Sequence, residues 1–118
     1  MSTNLSYTVL NLIVIRSAIP TDLAAFYSQF GLEFDYHRHG NGPMHYSVDV
    51  DGVTLEIYPL KASQKEADLT LRLGFKVADL KAVIAKGVDV VSAPKLGQWG
   101  YRCVVADPEG RRVELVER

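Results

Sequence analysis

The chain has a single cysteine, Cys103, in 118 residues. No internal disulfide can staple it, and no Cys-x-x-Cys pair exists to hold zinc or carry redox chemistry. That usage fits a reducing, cytoplasmic compartment. Neither sign of charge dominates, with 13 Lys and Arg against 14 Asp and Glu for a net charge of −1. The basic residues are scattered and do not interleave with aromatics, so no nucleic-acid partner is expected. Long hydrophobic runs are also missing. The apolar stretch from Val9 to Ile15 is too short to span a bilayer and has no basic segment before it. It reads as a strand, not as a signal peptide or membrane anchor. There is no Gly-x-Ser-x-Gly, no His-Glu-x-x-His and no phosphate-cradling glycine loop, which removes the ordinary hydrolase and nucleotide-binding readings.

What remains is enough for one domain with a real core, at 47% hydrophobic and 23% charged residues. The chain also says nearly the same thing twice. The run VDVDGVTLEIYP from Val48 to Pro59 aligns without a gap to ADPEGRRVELVE from Ala106 to Glu117. Each run is a strand, a turn closed by Gly52 or Gly110, and a second strand with one carboxylate, Glu56 or Glu114. A Glu among Leu55, Ile57, Val113 and Leu115 must face water or a polar cavity. The repeat therefore suggests two halves of one cavity.

The repetition extends outward from the hairpins. After the strand Val9 to Ile15, Pro20 and Asp22 suit a helix start, and Leu23, Phe26, Tyr27 and Phe30 form one stripe at helical spacing. The predicted helix covers Thr21 to Phe30 and stops at Gly31. The second half repeats this with a strand Leu69 to Val77, an N-cap at Asp79, a helix Leu80 to Lys86 and a stop at Gly87. A short strand follows each stop, Leu32 to Tyr36 and Val88 to Val91, before the hairpin. The reading is an α+β chain of two β-α-β-β-β modules, residues 8–60 and 69–118, joined by a polar linker over 61–68. Each half is too small to stand alone, so the modules pack together, within one chain or between two.

Alternation assigns faces. Leu71, Leu73, Phe75 and Val77 share one side of their strand, and Arg72, Gly74 and Lys76 the other. If the four-residue turns Asp49 to Gly52 and Asp107 to Gly110 close the hairpins, His45 stands opposite Glu56 and Cys103 opposite Glu114. Ser47, Thr54 and Tyr58 then join the first face, and Tyr101, Val105, Arg112 and Val116 the second. A slip of one residue swaps the faces. His37 and His39 share a side of the chain before Gly40 and form a candidate metal pair, or a solvent-exposed loop. Cys103 reads as a small buried hydrophobe.

The segments AAFYSQFGLEF, FKVADL and WGYRCVVADPEGRRVEL, set in two such modules, resemble the vicinal oxygen chelate superfamily, which includes glyoxalase I, extradiol dioxygenases, fosfomycin-resistance transferases and bleomycin-binding proteins. The resemblance implies curved mixed sheets around a cleft, and a homodimer. It also implies metal ligands, in the metal enzymes, on the first and last strands of each module. Those positions fall on Asn11, Glu56, Arg72 and Glu114. Arg72 departs from the pattern, because a guanidinium has no lone pair to offer a metal. One reading follows in which Arg72 replaces the ion among Glu56 and Glu114, leaving a polar cleft without cofactor. There Asn11, Arg72, His45, Trp99 and Tyr101 would bind a small organic ligand. In a second reading these residues sit on exposed strands. In a third, His45, Glu56 and Glu114 bind a divalent ion such as Ni, Zn, Mn or Fe, and Glu56 and Glu114 serve a lyase, isomerase or dioxygenase resembling glyoxalase I.

Overall fold

The structure, a computed structural model, describes residues 5–98 and 100–118. The order of elements is β1 (Leu12–Ser17), α1 (Pro20–Ser28), β2 (Asp35–His37), β3 (His45–Val50), β4 (Val53–Pro59), β5 (Leu73–Val77), α2 (Leu80–Ile84), β6 (Asp89–Gly97), β7 (Gly100–Ala106) and β8 (Arg112–Glu117). They form two four-stranded mixed sheets, ordered β1-β4-β3-β2 and β5-β8-β7-β6. The first strand of each module lies parallel to the last. β1 begins three residues later than the apolar run suggests, because its span is set by the ladder from Leu12↔Thr54 to Ser17↔Pro59. β5 shortens for the same reason, pairing with β8 only from Leu73 onward.

Pro20 opens α1, where its missing N–H costs nothing, and α2 is capped by Asp79, whose carboxylate accepts from the Ala82 N–H at 3.1 Å. Leu23, Phe26 and Tyr27 of α1 and Leu80 and Val83 of α2 bury their side chains with Ile15, Leu55, Ile57, Val113 and Leu115 in one core. Phe75 on β5 touches Tyr27 and Phe30 at ring distances of 5.8 and 5.3 Å. The helix-bearing faces of the two modules thus share a core, and the other face of each sheet is turned away from it.

The two hairpins differ, although their sequences align. The first is closed by Asp51 and Gly52 alone, both at positive φ (51° and 90°), with Val50 paired to Val53. Asp-Gly favours such a two-residue connection. The register is therefore two residues from the expected one: Ser47 stands opposite Glu56, while the shared face is unchanged. In the second hairpin Gly110 donates to the Asp107 carbonyl, the Asp107 N–H donates to the Arg111 carbonyl, and Gly110 takes φ 103°. This turn adds a glycine bulge, so Ala106 pairs with Arg112 and Val104, not Cys103, stands opposite Glu114. The slip is one residue and the face is exchanged. Cys103 and Tyr101 belong to the core side, and Arg102, Val104 and Ala106 share the side of Glu114.

Candidate functional site

Glu56 is central on the outer face of the first sheet. Around it His45 pairs across strands with His37 and stacks on Tyr58, with ring centroids 4.1 Å apart and planes at 8°. The Arg16 guanidinium lies over the Tyr58 ring at 4.9 Å. His39 folds back because the Gly42 N–H donates to its carbonyl, with Gly40 at φ 56° in the turn. The three imidazoles then sit 4.7 to 5.2 Å apart. His45 is 1% exposed, with its Nε2 3.4 Å from the Glu56 carboxylate.

Glu114 occupies the outer face of the second sheet, where its carboxylate meets the Arg102 guanidinium at 2.6 Å. Both side chains are about one-third exposed, at 35% and 32%, so the pair contributes little to stability. By alternation from Gly74↔Glu114, Lys76 shares this face, as does Arg112 of β8, and continuing the alternation to the residue before β5 puts Arg72 there as well. Lys95 stands opposite Arg102 across the β6–β7 ladder. Asp89, paired with Ala106, lies on the same side, so five cations share this face with two carboxylates.

The structure places the anticipated site residues unevenly. His45 and Glu56 meet, diagonally and not directly across. Among the described residues, no ion pair or hydrogen bond joins either of them to Glu114, which lies on the other sheet. Asn11 precedes β1 with the alternation of Ile13 and Ile15; the residues of that strand sharing the side of Glu56 are Leu12, Val14 and Arg16. Arg72 immediately precedes β5, and only continuation of that strand's alternation puts it on the side of Glu114. Tyr101, expected beside Glu114, is half-buried against the core instead. Trp99 lies outside the described residues. Sequence reasoning put Tyr58 on the Glu56 face, but missed Arg102 because its side depends on the Gly110 bulge, and Arg16 because its stack on Tyr58 needs the β1–β4 register.

The set Asn11, Glu56, Arg72 and Glu114 does not fit a metal ion. Arg72 has no lone pair, Glu114 is already held by Arg102, and Asn11 has the alternation of the core side. Two concavities at the seam between modules, of about 960 and 240 Å³, share Val50, Gly74 and Phe75 in their walls. Neither is lined by Glu56 or Glu114.

A domain model described as glyoxalase-like matches residues 12–116. The chain belongs to the glyoxalase-like family. Within the vicinal oxygen chelate superfamily its fold is similar to several solved structures. One is TnmS3, an antibiotic binding protein from Streptomyces sp. CB03234, with TM-score 0.72, 20% identity, and 97% of this chain and 98% of that one covered. Another is a glyoxalase/bleomycin resistance protein/dioxygenase family enzyme from Burkholderia phytofirmans PsJN, with TM-score 0.70, 20% identity, and 93% and 98% covered. A third is lactoylglutathione lyase from Agrobacterium tumefaciens, with TM-score 0.68, 17% identity, and 95% of each chain covered. No protein of curated function matches the sequence. At these identities the likeness is one of fold, and a glyoxalase-like fold carries both binding and catalysis.

Proposed function

We propose that this glyoxalase-like protein binds a small anionic organic ligand in a polar cleft, without a metal between Glu56 and Glu114. The observation that carries the reading is the outer face of the second sheet. Arg72, Lys76, Lys95, Arg102 and Arg112 outnumber Glu114 and Asp89 there, in a chain whose net charge is −1. Such a surface attracts a carboxylate, phenolate or sulfonate, to which Arg donates paired N–H bonds. It disfavours cationic glycopeptides. The antibiotic binding by TnmS3 supports sequestration as a use for this fold. A homodimer would close the cleft by facing the first sheet of one chain with the second sheet of its partner.

Calorimetry with matched aromatic carboxylates, sulfonates and amines tests this. Acids are expected to bind and amines not, with Arg72→Ala and Arg102→Ala each weakening the acids roughly tenfold, the scale of a lost charge-assisted hydrogen bond. Equal binding of amines, or affinity indifferent to both arginines, would reject an anionic ligand on this face.

A further inference from the structure

His37, His39, His45 and Glu56 come from β2, the loop after it, β3 and β4, and their ligand atoms all lie within 4.8 Å of one another. Convergence of three imidazoles and a carboxylate on one sheet face is not by itself a site, but two further observations bear on what belongs among them. First, His45 Nδ1 lies 3.2 Å from the Pro43 carbonyl. A carbonyl only accepts, so Nδ1 carries the proton and, in the neutral ring, Nε2 keeps its lone pair. That lone pair is buried, makes no hydrogen bond, and stands 3.4 Å from a Glu56 carboxylate oxygen. In that neutral form two acceptors face each other. Second, His37 Nε2 is likewise buried without a hydrogen-bond partner. A buried ring nitrogen without a partner is costly, and here two occur in one cluster.

We propose that His37, His39, His45 and Glu56 bind one divalent first-row transition ion of the zinc or nickel class. The 3.4 Å between His45 Nε2 and the Glu56 oxygen matches the edge of a tetrahedron with metal–ligand bonds of about 2.0–2.1 Å. The Nδ1–H to Pro43 bond is the outer contact that fixes a metal-binding imidazole in its tautomer and orientation. Imidazole nitrogens select zinc, nickel or copper over magnesium or calcium. His39 is exposed and completes the set from its turn, so the site can fill from solvent. All four ligands come from the first module, and the site needs neither Glu114 nor a second chain. It goes beyond the ligand-binding reading and does not rest on it. It also replaces the expectation of a chain without cofactor by an ion held away from the inter-module set.

The test is titration of untagged, chelator-stripped protein with zinc, cobalt(II) and magnesium. One equivalent of zinc, a tetrahedral visible spectrum with cobalt, and no response to magnesium are expected. His39→Ala, at an exposed position, should weaken zinc at least about tenfold, the lower bound set by losses at mere supporting residues, with an unchanged circular dichroism spectrum. His37→Ala should do the same, and Glu114→Gln should leave zinc binding intact. Substoichiometric binding, binding indifferent to His39 and His37, or loss in Glu114→Gln would each overturn the assignment. Failure of the acid ligands to bind would leave it standing.

Discussion

Arg111 is 1% exposed, a position an arginine tolerates only when every donor finds an acceptor. Its guanidinium meets Asp107 at 3.3 Å and Glu109 at 2.8 Å, and donates to the carbonyls of Asp68 and Arg16. Asp107 also accepts from the Tyr27 hydroxyl at 3.3 Å; burial first, and then that carboxylate, push the Tyr27 pKa well up, so the group stays a donor. Glu109 reaches across to the Ala18 N–H at 2.9 Å, at the entry to α1. This turn fastens the second module to the first. Burial alone would raise the Glu109 pKa, but hydrogen bonds from Ser17, Arg111 and the Ala18 N–H, with the Arg111 charge, hold it below the ordinary value. A depressed folded-state pKa contributes stability above the unfolded value and loses it as pH falls through the folded one. Glu109→Gln should therefore cost about 1–3 kcal/mol near neutral pH. The difference from wild type should shrink as the pH falls below about 4, in urea melts across that range. A constant difference at all pH values would mean that the Glu109 charge is not what holds the turn.

At the level of elements, the two hairpins show which parts of the site were legible. Both helices, the strand sequence and the stripe Leu23, Phe26, Tyr27 and Phe30 follow from periodicity and caps, because local rules act within a few residues. The face of a strand depends on a single count made at a turn. Asp51-Gly52 and Asp107-Pro-Glu-Gly look alike, yet one closes in two residues and the other adds a bulge. The first error moved the register by two and kept His45 beside Glu56. The second moved it by one, hid Arg102 and brought Cys103 and Tyr101 to the wrong side of the sheet. The histidine cluster was visible only in pieces, since closing it requires the loop from Arg38 to Met44 to set His37 across from His45. Turn geometry is accordingly where substitution should be felt. Gly52 sits at φ 90° with open space where a Cβ would stand, so Gly52→Ala meets backbone strain and no clash. A loss of about 1–2 kcal/mol is expected in chemical denaturation. A loss near zero would mean that the turn relaxes to another type, and with it the register that carries Glu56.

On the scale of the whole molecule the chain is open. Its radius of gyration is 16.0 Å, against about 13–14 Å for a compact chain of this length. The outer faces and edges explain the excess. β1 pairs only with β4, and β5 only with β8, so each leaves one edge unpaired, a feature that proteins normally cover. On β1 the outward Leu12 and Val14 are 49% and 41% exposed, and Leu69 and Leu71 are exposed just before β5. If a two-fold dimer sets β1 of one chain against β5 of its partner, both edges are covered twice over. Leu12 would then be buried, and the first-sheet face would oppose the cationic second-sheet face. The wild-type protein should run at twice its 13.1 kDa chain mass in light scattering. Leu12→Glu leaves Glu56 and the three histidines untouched, so it should give a folded monomer that has lost most affinity for acid ligands while still taking up zinc. A dimer that survives Leu12→Glu would place the contact elsewhere. A monomer that binds acids as well as wild type would mean that the second sheet captures its ligand alone.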